Sequence, residues 1–159
     1  MKITTLNNEG WFDPGIKITL KKNYTVYPNL IFDENTMFDI LVVGGGGAGG
    51  YNAGGGGGAG GLVYGSNIVL DHTNVYDIKV GRGGIGGISS TDGSDTIFGN
   101  IIAMGGGAGI DNNGIGNVGG SGGGSSVDVQ ASTDSIGGSK AQITEFTIGT
   151  KILNGYGND

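Results

Sequence analysis

Apolar and polar positions alternate with period two in short stretches near both ends of the chain. Ile16-Lys17-Ile18-Thr19-Leu20 and Tyr24-Thr25-Val26-Tyr27 show it, as do Val127-Asp128-Val129 and Ile143-Thr144-Glu145-Phe146-Thr147-Ile148. This period predicts half-buried strands, and Asp13-Pro14-Gly15 between Trp11 and Ile16 predicts a turn. The middle carries short runs rich in β-branched residues: Phe38 to Val43, Asn67 to Leu70, Val75 to Val80, Thr96 to Phe98 and Ile101 to Met104. These are strand candidates as well. Nowhere do apolar residues recur at i, i+3, i+4 and i+7 over three turns, so essentially no α-helix is expected.

Glycine separates the middle strands. Runs occupy 44–50, 54–61, 81–87, 105–109 and 119–124, and 13 of the 18 residues from Gly44 to Gly61 are glycine. A helix cannot survive there, since each glycine costs about 1 kcal/mol relative to alanine. A conventional strand is weak too, with no side chains to pack. Two readings fit. One is flexible linker. The other is a bundle of polyglycine-II helices, extended rods with three residues per turn whose backbone groups must bond to neighbouring rods. Five runs of similar length, each spanning roughly 15–25 Å at a polyproline-II rise, interleave with strands too short to be domains. That arrangement favours the bundle, as do Ile85, Ile110 and Ile115 inside or beside the runs.

Composition narrows the class. With 39 glycines but only two prolines and no G-X-Y period, collagen is excluded. A hydrophobic fraction of 36% against 14% charged argues against plain disorder. The formal charge of -6, with no basic cluster beyond Lys21-Lys22, excludes a nucleic-acid backbone as partner. There is no cysteine, hence no disulfide and no thiolate metal site. The N-terminus lacks the apolar core of a signal peptide, and no stretch is long enough to insert into a membrane.

Candidate chemistry is sparse. Gly44, Gly46 and Gly49 follow a strand-like run and satisfy G-x-G-x-x-G, with Asp71 downstream. A dinucleotide site needs a helix N-terminus after those glycines, and Gly50-Tyr51-Asn52-Ala53-Gly54 cannot supply one. A dinucleotide-binding oxidoreductase is therefore a remote alternative. His72 is the single histidine and reads as a turn residue. Asp92-Gly93-Ser94-Asp95 lacks the ligand pattern of a calcium loop and reads as a β-turn. Arg82 is the one charge inside a glycine run. No enzyme, metal or cofactor is expected.

From Phe38 onward the order of pieces resembles a known glycine-rich family. FDILVVGGGGAGG leads to GGGGGAGGLVYGSNIVL, then VYDIKVGRGGIGG, then GSDTIFGNIIAMGGGAG. Thr96-Ile97-Phe98-Gly99 stands where the family plan has S-x-F-G, with serine earlier. The likeness covers roughly residues 38–124 and is similar to the adhesin tips of phage tail fibres, with the glycine-rich region of the anaplastic lymphoma kinase receptor more distant. The resemblance implies packed polyglycine-II helices whose end loops bind a receptor or partner.

The expected fold is thus all-β, with short antiparallel strands beside a polyglycine-II bundle. One domain is expected over 1–159: a β-rich segment 1–37, a glycine-rich region 38–124 and a β-rich segment 125–159. The expected function is a non-enzymatic viral structural protein, a virion-surface or fibre module for attachment. A purely structural capsid or fibre component is the alternative. Expected partners are virion or fibre proteins and a host receptor or glycan, with homo-oligomerisation left open. The candidate binding residues are those carrying side chains between runs: Tyr51, Asn52, Asp92, Asp111, Asn112 and Asn113. Tyrosine and asparagine suit polar recognition because they join a rigid face to adaptable hydrogen bonds.

Overall fold

The computed structural model describes residues 2–3, 26–32, 36–111, 114–126 and 136–159. The strands expected at 16–20 and 127–129 and the turn at 13–15 lie outside them. Among the described residues nine strands are formed: β1 (Lys2–Ile3), β2 (Val26–Phe32), β3 (Thr36–Val43), β4 (Leu62–Leu70), β5 (Tyr76–Lys79), β6 (Thr96–Phe98), β7 (Ile101–Ala103), β8 (Glu145–Ile148) and β9 (Lys151–Tyr156). Among the described residues there is no helix. The middle strands fall where β-branched runs were read. The N-terminal alternation is caught only in part, since β2 starts at Val26 and extends to Phe32.

The strands form two sheets, β1-β2-β5-β6-β7 and β3-β4-β9-β8. Every neighbouring pair is antiparallel except β1 with β2. Pro28 sits inside β2, where the register against β5 skips between Tyr27 and Leu30. A residue without an N–H is tolerated at such an irregularity. The β6–β7 and β8–β9 hairpins turn through two residues each, Gly99-Asn100 and Gly149-Thr150, with glycine φ of 56° and 58°. Positive φ at the first turn position alone is the type II′ pattern, which matches strand twist and selects glycine there.

Alternation along each strand buries one face. Ile40 and Val42 of β3, Val63, Ile68 and Leu70 of β4 and Leu153 of β9 point inward. They form one cluster with Tyr76, Ile101 and Ala103 of the other sheet, so both sheets bury a common core. Tyr76 stacks on Phe98 with ring centroids 5.5 Å apart. Full burial of an Ile, Leu or Val side chain contributes about 1.5–3 kcal/mol. This core anchors everything else.

At one end of the sheets the strands continue directly into glycine. β3 runs on into 44–50, and 54–61 runs on into β4. β5 leads into 81–87, 91–95 leads into β6, and β7 leads into 104–110. These runs are neither helix nor strand, and they bond to one another.

Candidate functional site

The glycine runs exchange backbone hydrogen bonds with a spacing of three. Gly44, Gly47 and Gly50 donate to the carbonyls of Gly61, Gly58 and Gly55, at 2.9, 2.8 and 2.8 Å. Gly61, Gly58 and Gly55 donate in turn to Met104, Gly107 and Ile110. Gly45 and Ala48 donate to Ser94 and Thr91, while Ser121 and Gly124 donate to Ala59 and Gly56.

Residues 104–110 lie at the centre, and each of their seven N–H groups has a partner. Met104, Gly107 and Ile110 donate to Oε1 of Gln142 and to the carbonyls of Ser121 and Gly124. Gly105 and Ala108 donate to Oδ1 of Asp95 and of Asp92, at 2.8 and 2.7 Å. Gly106 and Gly109 donate to the carbonyls of Gly45 and Ala48. Three faces of one extended segment are thereby spent on three different neighbours. Gly105 to Gly109 are all buried, so an unmade bond there would carry a full desolvation penalty.

Close approach explains the glycine. Among the described glycines only Gly87, Gly99 and Gly149 have φ in the left-handed region, so handedness is not the reason for the runs. A Cβ on Gly47 would enter the carbonyl of Gly107, one on Gly107 that of Asn117, and one on Gly106 that of Gly58. Gly56 and Gly86, by contrast, have open space where a Cβ would go.

The network also brings the candidate loops to one end. Gly50 bonds Gly55, Gly55 bonds Ile110 and Ile110 bonds Gly124, which sets the turn at 51–54 beside Asp111 and the segment after Gly124. Gly54 N–H donates to the Tyr51 carbonyl at 3.1 Å, and Asn52 and Ala53 have φ of 49° and 62°. This is a type I′-like turn built without glycine at its two central positions. It leaves Tyr51 51% exposed, with Asn52 and Ala53 exposed beside it. The 86–91 loop joins them through Ser90, whose Oγ donates to the Gly49 carbonyl at 2.6 Å. Thr91 closes that loop on itself, donating N–H to the Ile85 carbonyl while its Oγ1 accepts from Ile85 N–H.

Of the candidate residues, Tyr51, Asn52 and Asp111 stand in this cluster. Asn112 and Asn113 lie outside the described residues. Asp92 is committed to the network, since its Oδ1 accepts from Ala108 N–H and from Asn117 Nδ2 at 2.9 Å. Asp95 performs the matching task one turn along, which explains the two acids of Asp92-Gly93-Ser94-Asp95. Gln142 is a structural residue that sequence reading missed. Buried at the junction, it accepts from Met104 and donates Nε2 to the carbonyls of Ile102 and Ile143. Its signal, an amide just before a strand-like run, is too common to single it out.

In the G-x-G-x-x-G pattern Gly44 N–H donates to the Gly61 carbonyl, while the carbonyls of Gly46 and Gly49 accept from Gly84 N–H and Ser90 Oγ. The segment after them is a turn, and the N–H groups of Gly44, Gly45, Gly47, Ala48 and Gly50 all point at protein carbonyls. Among the described residues no cluster of three His, Asp or Glu side chains is close enough to hold a metal ion, and no helix is long and apolar enough to cross a membrane. His72 lies at the far end of β4, where Asp71 Oδ1 accepts from Thr73 N–H and Oγ1 at 2.8 and 2.7 Å. The Thr73 side-chain bond, then its backbone bond, hold the Asp71 carboxyl below its ordinary range.

Against known proteins, no curated protein and no solved structure matches this chain. One family profile, described as a glycine-rich domain, matches residues 23–159. That match takes in every strand from β2 to β9 and every glycine run, and on it the chain belongs to the glycine-rich domain family.

Proposed function

We propose that the runs pack as a polyglycine-II bundle and that the chain is a non-enzymatic recognition module, carried on a virus particle or fibre and used in attachment. Donors recurring every third residue, positive φ limited to Gly87 among the glycines of the runs, and contacts that leave no room for Cβ all support a threefold extended helix. The observation that carries the functional reading is the convergence of the 51–54, 86–91 and 110–111 loops at the end of the runs, opposite the sheet core. A stiff bundle holding short polar loops presents them with little ordering entropy left to lose on binding. Virion and fibre placement rests on the likeness of the chain's plan to phage tail-fibre tips.

The test replaces Tyr51 and Asn52 together by alanine and measures binding of the isolated protein to intact host cells and to particles. The account expects cell binding to weaken by about tenfold or more, with an unchanged far-ultraviolet β signature. Full retention of binding by the folded variant contradicts the assignment. Wild-type protein that binds particles but never cells points instead to a purely structural component.

A further inference from the structure

We propose that the outer face of the four-stranded sheet is the interface through which two copies of this chain associate. Burial alternates along β3 from Met37 and along β9 from Ile152, so the side chains opposite the core share one surface. Leu41 and Val43 of β3 stand there 61% and 46% exposed, Tyr64 of β4 43%, and Ile152 and Tyr156 of β9 59% and 56%. Strand register joins Leu41, Val43, Leu62, Tyr64 and Tyr156 in one patch, while Ile152 lies opposite Thr147 with Asn154 between it and that patch. Leu41 lies opposite Tyr64, Val43 opposite Leu62, and Leu62 opposite Tyr156. Met37 and Val69, paired and exposed, extend the strip along the same two strands.

At on the order of 100 Å² each, these side chains offer roughly 700 Å² of apolar surface, close to the ~800 Å² that each partner buries in a standard interface. The apolar patch is rich in Tyr and Leu and free of lysine and arginine, as an interface centre is, and the polar Asn154 and Thr147 lie on its β8 side. Its charged members, Asp39 and Glu145, stand beside the β4 irregularity and on the edge strand, and Asp39 Oδ1 already accepts from Asn67 N–H. With no cation to recruit an acidic partner and few anions to recruit a basic one, the matching surface is a second flat apolar sheet. Another copy supplies it through a two-fold axis, with the sheets packed face to face about 10 Å apart. The recognition loops lie beyond the glycine runs, so both sets remain exposed in such a dimer.

Sedimentation equilibrium of the full chain, carried to ~100 µM, tests this. Wild type is expected at twice the 15.8 kDa chain mass. Leu41→Lys and Ile152→Lys are expected to weaken association by roughly a hundredfold, since each buries two unpaired charges in the interface, one from each copy. Ile152→Thr keeps a β-branched residue in the strand and should weaken it less, and Ile88→Lys, on a loop at the other end, should not change it. A wild type that stays monomeric overturns the proposal. So does a dimer indifferent to both lysines. A monomer whose Leu41 and Tyr64 resist covalent surface labelling also overturns it, because the cover is then the chain's own residues.

Discussion

A few side chains hold the glycine network in place, and their value lies in donors that would otherwise be buried without partners. Asp92→Ala removes the acceptor for Ala108 N–H and is expected to cost about 1–3 kcal/mol in urea unfolding. Asp92→Asn retains an acceptor oxygen and should cost less. Ala53 has its φ at 62°, a conformation that costs an L-residue roughly 1–2 kcal/mol. Ala53→Gly should therefore raise stability by up to about 1 kcal/mol without changing the lattice. Asp71 carries a pH signature. Its carboxyl is held low in the folded protein by Thr73, so its contribution is present above the ordinary carboxylate range and is lost as pH falls through the folded value. The stability difference between wild type and Asp71→Asn should shrink on acidification, read from urea midpoints at neutral and acid pH; a difference independent of pH contradicts the linkage. These residues were poorly legible in sequence. Asp92 looks like a turn acid and Gln142 like any surface amide until the three-residue spacing of the donors they serve is known.

At the scale of elements, strands were legible wherever β-branched residues ran together, as in β3, β5, β6 and β7. They were not where glycine and polar residues interrupt the period. β9 reads Lys-Ile-Leu-Asn-Gly-Tyr, and its assignment comes from pairing with both β4 and β8. β4 begins at Leu62, directly on the end of a glycine run, although sequence marks it only from Asn67. The runs themselves were readable as special, but which glycines are indispensable was not. That depends on which face of each run meets backbone. Gly107→Ala should cost about 3 kcal/mol or more, because its Cβ meets the Asn117 carbonyl in a buried segment. Gly56→Ala, with open space around the added carbon, should be neutral or stabilising by about 0.5 kcal/mol. Equal effects of the two in thermal unfolding would mean that close approach is not what the glycines provide.

For the whole molecule, an ordinary two-sheet core sets the register of segments that could not order themselves. Isolated glycine runs lose more conformational freedom than any other sequence on folding. Here four of the five runs leave or enter a strand at a fixed position, and Gln142 ties the sheet ends to the central run. The network then carries the loops outward from that core. The runs are thus an ordered, mutually bonded body and not linkers between strands. Amide hydrogen exchange resolved at individual glycines tests it most directly. The account predicts slow exchange at Gly44, Gly47, Gly50, Gly55, Gly58 and Gly61 and across Gly105 to Ile110, comparable to the core strands β3 and β4. Exchange of those glycines at the rate of an unstructured chain, while β3 and β4 stay protected, would contradict it.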